Sequence, residues 1–218
     1  MPRSPEDNQQ IRDARRDAIM RAAERVFARK GYSATKVSDI ASAAGLSHGL
    51  VYHYFDSKEG IFAALLDEMM DQIAADLEVD GETPLARLTA IIDNGLERLV
   101  ECPECGQLVT QTILLGGLPE SLRRRALEHA RKLRERWIQI VRDCQKTGTM
   151  RADIEPVQLA SAMLNMFRGM SIRPAGLSEN PFLFPNRETI LQLLSPAPEP
   201  PRAQATRRRK RHARKKND

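Results

Sequence analysis

The sequence predicts an all-α protein, with a small N-terminal three-helix domain followed by a larger helical domain. Three observations predict it. Apolar residues recur at three- and four-residue spacing over long stretches, which is the helical signature. Alternation of Val, Ile and Thr, which marks strands, never persists. With 41% hydrophobic and only 5% aromatic residues, the 218-residue chain can bury a core made mostly of Leu, Ile, Ala and Met.

Residues 1–10 are polar and read as a flexible lead. A first helix is expected from about Ile11 to Lys30, where Ile19, Ala22, Ala23, Val26 and Phe27 share a face and Gly31 stops it. Thr35 can cap a short second helix whose apolar face is Val37, Ile40, Ala41 and Ala44. Asp39 in its early turns suits the helix dipole, and Gly45 ends it. Ser47 can cap a third helix from His48 to about Tyr54. A fourth begins after Asp56, which with Glu59 has the D-x-x-E spacing of a capping box. Its stripe of Ile61, Phe62, Leu65, Leu66, Met69, Met70 and Ile73 is broad enough to be covered by two partners.

Further helices are expected over roughly 83–101, 104–115 and Pro119 to Lys146, then from Pro156 onward and over roughly 186–195. Pro119 and Pro156 suit first turns, and Gly148 suits an end. From Ser195 the chain is Pro-rich and then basic (TRRRKRHARKK). It has no apolar residues to offset the entropy of ordering, so 196–218 is expected to be disordered. The domain plan is therefore a lead over 1–10, a three-helix domain over 11–58, a second helical domain over 59–195, and the tail.

The net charge of +5 is unevenly spread. Residues 1–55 hold nine Lys/Arg against six Asp/Glu, residues 56–201 sixteen against twenty-two, and residues 202–218 nine against one. Basic ends around an acidic middle point to nucleic-acid contact at the ends. Three cysteines make no disulfide framework and fit a reducing compartment. No run of 18 apolar residues occurs, and MPRSPEDNQQ has no apolar core. Neither a membrane span nor a signal peptide is expected, and the protein is placed in the cytoplasm. No Walker loop, nucleotide-binding Gly-rich turn or G-x-S-x-G motif is present. The chain does not read as an enzyme, and nothing calls for a cofactor.

The informative stretch is 35–59, TKVSDIASAAGLSHGLVYHYFDSKE. Two short helices across a tight Gly-containing turn form a helix-turn-helix, whose second helix enters the DNA major groove with its N-terminal residues at base edges. Val37, Ile40, Ala41, Ala44, Leu46, Val51 and Phe55 are spaced to bury one face. The remaining face of the third helix presents Ser47, His48, Gly49, Leu50, Tyr52 and His53, polar, aromatic and light in acid. Gly49 weakens a helix and reads as a point of close backbone approach. Leu50, apolar yet outward, fits a thymine methyl. Thr35, Lys36, Tyr52, Tyr54 and Lys58 can reach phosphates, and Lys58 opens a helix whose free N–H groups also favour phosphate. His48 and His53 lack a Cys or carboxylate at ligand spacing, so they read as groove-facing or solvated rather than metal-bound. A plain helical hairpin is the competing reading, but cap, turn and face agree against it.

The segment from about 15 to 66 resembles the DNA-binding domain of the TetR (tetracycline-repressor-like) family. The matching features are an A-x-x-V-F helix ending K-G-Y, then V-S-D-I-A-x-A-A-G-L-S, G-L-V-Y-H-Y-F and S-K-E-G. The resemblance implies a homodimeric regulator, usually a repressor, that binds a pseudo-palindromic double-stranded operator. It also implies a C-terminal helical domain for ligand binding and dimerisation, with a small-molecule effector releasing the DNA. Segments near 156–172 and 186–195 would then form the dimeric four-helix bundle. The resemblance is silent about the effector.

Three further features stay open at this level. Leu66, Met69, Met70, Trp137, Met163 and Phe167 are either helical core or the lining of an effector pocket for a bulky apolar ligand. C-P-E-C-G at 102–106 has the form of a zinc-ribbon knuckle, but no second knuckle exists. Cys102 and Cys105 are therefore structural, or they serve a metal- or thiol-responsive regulator. The tail either adds sequence-independent phosphate affinity with strong salt dependence or merely solubilises the chain.

Overall fold

The computed structural model describes residues 5–101, 108, 117–171 and 184–196, and every regular element among them is a helix. The helices are α1 (Pro5–Ala34), α2 (Val37–Ala44), α3 (His48–Tyr54), α4 (Lys58–Ala75), α5 (Pro84–Glu101), α6 (Glu120–Lys146), α7 (Pro156–Met170) and α8 (Arg187–Leu194). The expected helix over 104–115, apart from Leu108, lies outside the described residues, as do Cys102, Cys105 and residues 197–218.

The first departure from expectation is at the start. Residues 5–10 belong to α1 rather than to a loose lead. Proline is tolerated at a helix start because the first N–H has no intrahelical partner. One turn on, Gln9 Nε2 donates to Asp13 Oδ1 at 2.9 Å. At its other end α1 is broken by Gly31, whose φ of 74° is left-handed, and only one further turn follows.

Two cores organise the molecule. The N-terminal core joins Ile19, Val26 and Phe27 of α1, Val37 and Ile40 of α2, Val51 of α3, and Ile61, Phe62, Leu65 and Met69 of α4. Leu108 and Leu122 complete it from beyond α5, so packing is continuous across the boundary expected at 58/59. The second core joins Leu88, Ile91 and Ile92 of α5, Trp137, Ile140, Val141 and Cys144 of α6, Leu159 and Met163 of α7, and Ile190 and Leu194 of α8. Between the cores, Leu66 and Met70 of α4 meet Ala126 of α6. The chain closes at the far end. Gln145 Nε2 donates to the carbonyls of Arg151 and Ile154 at 2.9 and 2.8 Å, and the Arg151 amide donates to Leu194 O at 2.8 Å.

Polar bonds run along the edge of the α4–α6 contact. Asp67 accepts from the Arg125 guanidinium and from His129 Nε2, the latter at 2.9 Å, and Arg136 Nη1 reaches Glu78 at 2.9 Å. Burial raises the Asp67 carboxyl, but the hydrogen bonds from Arg125 and His129 outweigh it and hold the group below the ordinary carboxylate range. A carboxylate with a depressed folded pKa stabilises the fold above its unfolded value of about 3.9. That contribution is lost as pH falls through the lower folded value. Urea melts between about pH 5 and about pH 2 are therefore expected to show a steeper loss for the wild type than for Asp67→Asn, by up to about 1 kcal/mol given the solvent exposure of Arg125. Parallel loss in the two proteins would mean the clamp contributes nothing.

Candidate nucleic-acid interface

The second and third helices are set by local chemistry. Gly45 adopts φ 68°, its amide donates to Ser42 O, and the Leu46 amide donates to Ala41 O. This double bond closes α2 and turns the chain sharply. Ser47 then caps α3, its Oγ accepting from Leu50 N at 3.3 Å. Val51, fully buried, anchors α3 from behind, and Phe55 lies beneath the Arg16 guanidinium at 5.6 Å from its ring centroid.

This bracing leaves an outward face. His48, Gly49, Tyr52 and His53 are exposed, Tyr52 to 43%. The rings of His48 and Tyr52 meet edge to face at 4.9 Å, which restricts the tyrosine before any partner arrives. A Cβ built on Gly49 would meet nothing within 4 Å, so the face is open there. Leu50 is half-buried rather than fully outward. Tyr54 is half-buried against the N-terminal core, with His53 edge-on to it at 5.4 Å. Ser47 is exposed with its hydroxyl engaged in the cap, and Lys36 is exposed at the head of α2.

Two expected phosphate contacts do not have the geometry assigned to them. Thr35 is 2% exposed, and its hydroxyl donates to Gly31 O at 2.7 Å, so it secures the α1–α2 turn. Lys36 rather than Thr35 stands at the α2 N-cap, its amide donating to Asp39 Oδ2 at 2.9 Å. The Lys58 ammonium turns inward, donating to Tyr32 O at 2.9 Å and Thr35 O at 3.0 Å, and it sits 4.3 Å from the Tyr32 ring centroid. The physical reason is the break at Gly31, which ends the regular helical ladder and leaves the Tyr32 and Thr35 carbonyls within reach of the ammonium. One sequence signal was available: a cation in a first helical turn opposes the dipole. The α4 cap is also shifted by one residue, from Asp56 to Ser57, whose Oγ accepts from Gly60 N at 3.0 Å.

Sequence reasoning missed Lys30 as well as Arg16. Lys30 Nζ lies 3.1 Å from Asp39, the sole carboxylate between residues 35 and 55. The Lys36 amide first, and Lys30 second, hold the Asp39 carboxyl below its usual value. Its charge is thus committed within the domain, and the α3 face carries no acid. What remains is a short, rigid helix presenting imidazole and phenol groups with an adjacent lysine, a set that can hydrogen-bond base edges and phosphates.

The stripe considered for an effector pocket is divided. Met69 lies in the N-terminal core, Leu66 and Met70 in the α4–α6 contact, and Trp137, Met163 and Phe167 in or against the second core. Their packing is thus spread over three clusters of buried residues. Met69 alone of them lines an opening of about 280 Å³ between α1, α4 and Arg98 of α5. Among the described residues, no group of three or more His, Cys, Asp or Glu could hold a metal ion. No described helix is long and apolar enough to cross a membrane.

Comparison with known proteins adds independent information. The model of a family described as "Bacterial regulatory proteins, tetR family" matches residues 19–65. The chain is 30% identical over 165 residues to the transcriptional regulator AcuR of Cereibacter sphaeroides, covering 72% of this chain and 74% of that one. It is 27% identical over 172 residues to the HTH-type transcriptional repressor KstR2 of Rhodococcus jostii, covering 78% and 83%. The fold superimposes on the crystal structure of AibR in complex with isovaleryl coenzyme A and operator DNA with a TM-score of 0.66. That match covers 84% of this chain and 98% of the other at 19% identity, so it speaks for the fold alone.

Proposed function

The chain belongs to the TetR family of bacterial regulatory proteins, and from that premise we propose that it binds a pseudo-palindromic operator as a homodimer, represses transcription, and is released by a small-molecule effector. Its curated relatives are transcriptional regulators, not enzymes. The observation that carries the reading is the exposed, acid-free face of α3 with Val51 buried behind it.

Two such faces, related by a two-fold axis, would enter successive major grooves about 34–36 Å apart. The dimer contact is assigned to α7 and α8, which keep Val157 at 49% and Leu193 at 58% exposure. The lever is α4. Its first turns belong to the N-terminal core, Lys58 ties it to the α1–α2 turn, and Leu66 and Met70 tie it to α6. An effector that binds better to an arrangement with α4 tilted would shift the population away from the DNA-binding form. The protein would work in the cytoplasm, at the nucleoid when bound, with the basic tail adding salt-sensitive phosphate affinity.

Footprinting upstream of its own gene, followed by anisotropy titration on the protected fragment, tests this. Tyr52→Ala is expected to weaken specific binding by about 10- to 100-fold, the size of one good base or phosphate contact, with an unchanged thermal melt. Deletion of residues 202–218 is expected to keep the footprint and flatten the salt dependence. A footprint that survives Tyr52→Ala at full affinity, or that disappears with the tail, overturns the reading.

A further inference from the structure

The first helix runs on past the core it serves. Residues 5–18 of α1 extend about 20 Å beyond Ile19, where the chain enters the N-terminal core. From Ile19 onward the inward row of α1 is Ile19, Ala22, Ala23 and Val26, all buried. Traced back by the same three- and four-residue steps, that row becomes Arg16, Arg15 and Arg12. The overhang therefore carries cations, not apolar groups, on the side where the domain lies, and all three are exposed.

Arg16 fixes where the row points. Its guanidinium lies 5.6 Å from the ring centroid of Phe55, the residue that closes α3. The nearby acids are directed elsewhere. Asp17 lines the opening toward α4 and Arg98 of α5, and Asp13 accepts from Gln9. Among the described residues, no carboxylate lies within 4.0 Å of the Arg12, Arg15 or Arg16 guanidinium. By contrast, Arg98, Arg125, Arg151 and Arg187 each pair with an aspartate.

We propose that Arg12, Arg15 and Arg16 bind the DNA backbone, holding phosphates beside the half-site at the end where α3 closes. The inference rests on the operator reading of α3 and adds a contact outside the helix-turn-helix. Three guanidiniums without carboxylate partners, set within about 6 Å of helix axis, suit two or three phosphates, which recur along a strand and accept forked donors. The row lies beside the exposed face of α3 rather than on it. It therefore supplies affinity and register, and α3 supplies the choice of bases.

In the full chain, Arg12→Gln/Arg15→Gln/Arg16→Gln is compared with Arg131→Gln/Arg134→Gln/Arg142→Gln, which removes the same charge from exposed positions of α6. Anisotropy is followed through a salt series on the footprinted operator fragment and on a scrambled duplex of equal length. The α1 variant is expected to bind both duplexes at least about tenfold more weakly at physiological salt. Its slope of log K against log salt should be shallower by about 2–3, while the α6 variant matches the wild type. Because Arg16 also touches Phe55, Arg12→Gln/Arg15→Gln is measured alongside, with an unchanged melt and a slope shallower by about 1–2 expected. Unchanged slopes in both α1 variants, or an equal loss in the α6 variant, overturn the proposal. A wild-type chain that gives no footprint overturns the operator reading instead, and the scrambled duplex then still decides the backbone contact.

Discussion

Phe27→Ala is expected to lower stability by about 3–5 kcal/mol and to abolish operator binding. Phe27 is fully buried at the centre of the N-terminal core. Its ring stands edge-on to Phe62 of α4 at 5.0 Å and stacks on Tyr32 at 6.0 Å. The substitution removes the apolar contact and both aromatic pairings, and it leaves a cavity that α1 and α4 cannot close without moving. Domains of this size usually hold about 5–15 kcal/mol in total, so the loss is a large fraction of the whole. Calorimetry should show the melting temperature reduced by roughly 6–20 °C. Anisotropy should show specific DNA binding lost, because α3 rests on the same cluster through Val51. A melt within about 2 °C of wild type would mean that the three rings do not form the centre of this core.

Gly95→Val is the second large effect, and it acts in the other core. Gly95 lies in α5, and a Cβ there would meet Phe167 Cε1 at 2.6 Å and Cζ at 3.0 Å. No contact that short is tolerated, so the Phe167 ring must leave its place. That ring stacks on Trp137 at 6.2 Å with an interplanar angle of 29°. Overpacking of this kind costs about 1–3 kcal/mol, and a β-branched residue gains less helix propensity than alanine would. Trp137 is the chain's single tryptophan, so its emission reports the displacement directly. Phe167→Leu removes the clashing ring atoms, and the double variant should recover part of the loss, with a coupling of at least about 0.5 kcal/mol. Additive losses in the double variant would locate the strain elsewhere.

Much of the fold is legible because it is written in short-range rules. Gly45 and Gly148 take the positive φ that their positions after helices required, and Gly31 takes it at the break near the end of α1. The α5 and α7 starts fall within a residue of Pro84 and Pro156, and Asn186 caps α8 through Thr189 N at 2.9 Å. The apolar period along α1, α2 and α4 identified core residues that are buried, except Ala44 and Ile73, which are half-buried. Local rules also erred locally. Asp56 and Ser57 both suit an N-cap, and it is Ser57, with an extended φ of −159° and its Oγ accepting from Gly60 N, that caps α4.

What the chain by itself determined is helix position, the turn at Gly45–Ser47 and the outward placement of His48, Gly49, Tyr52 and His53. Each of these depends on residues within about one or two helical turns, where spacing and backbone preference suffice. Only the tertiary structure decided that Lys58 reaches back 26 residues to Tyr32 O, that α4 serves two cores, and that Arg87 keeps a buried donor unpaired. A long polar side chain goes where acceptors lie, and those acceptors come from segments far apart in sequence.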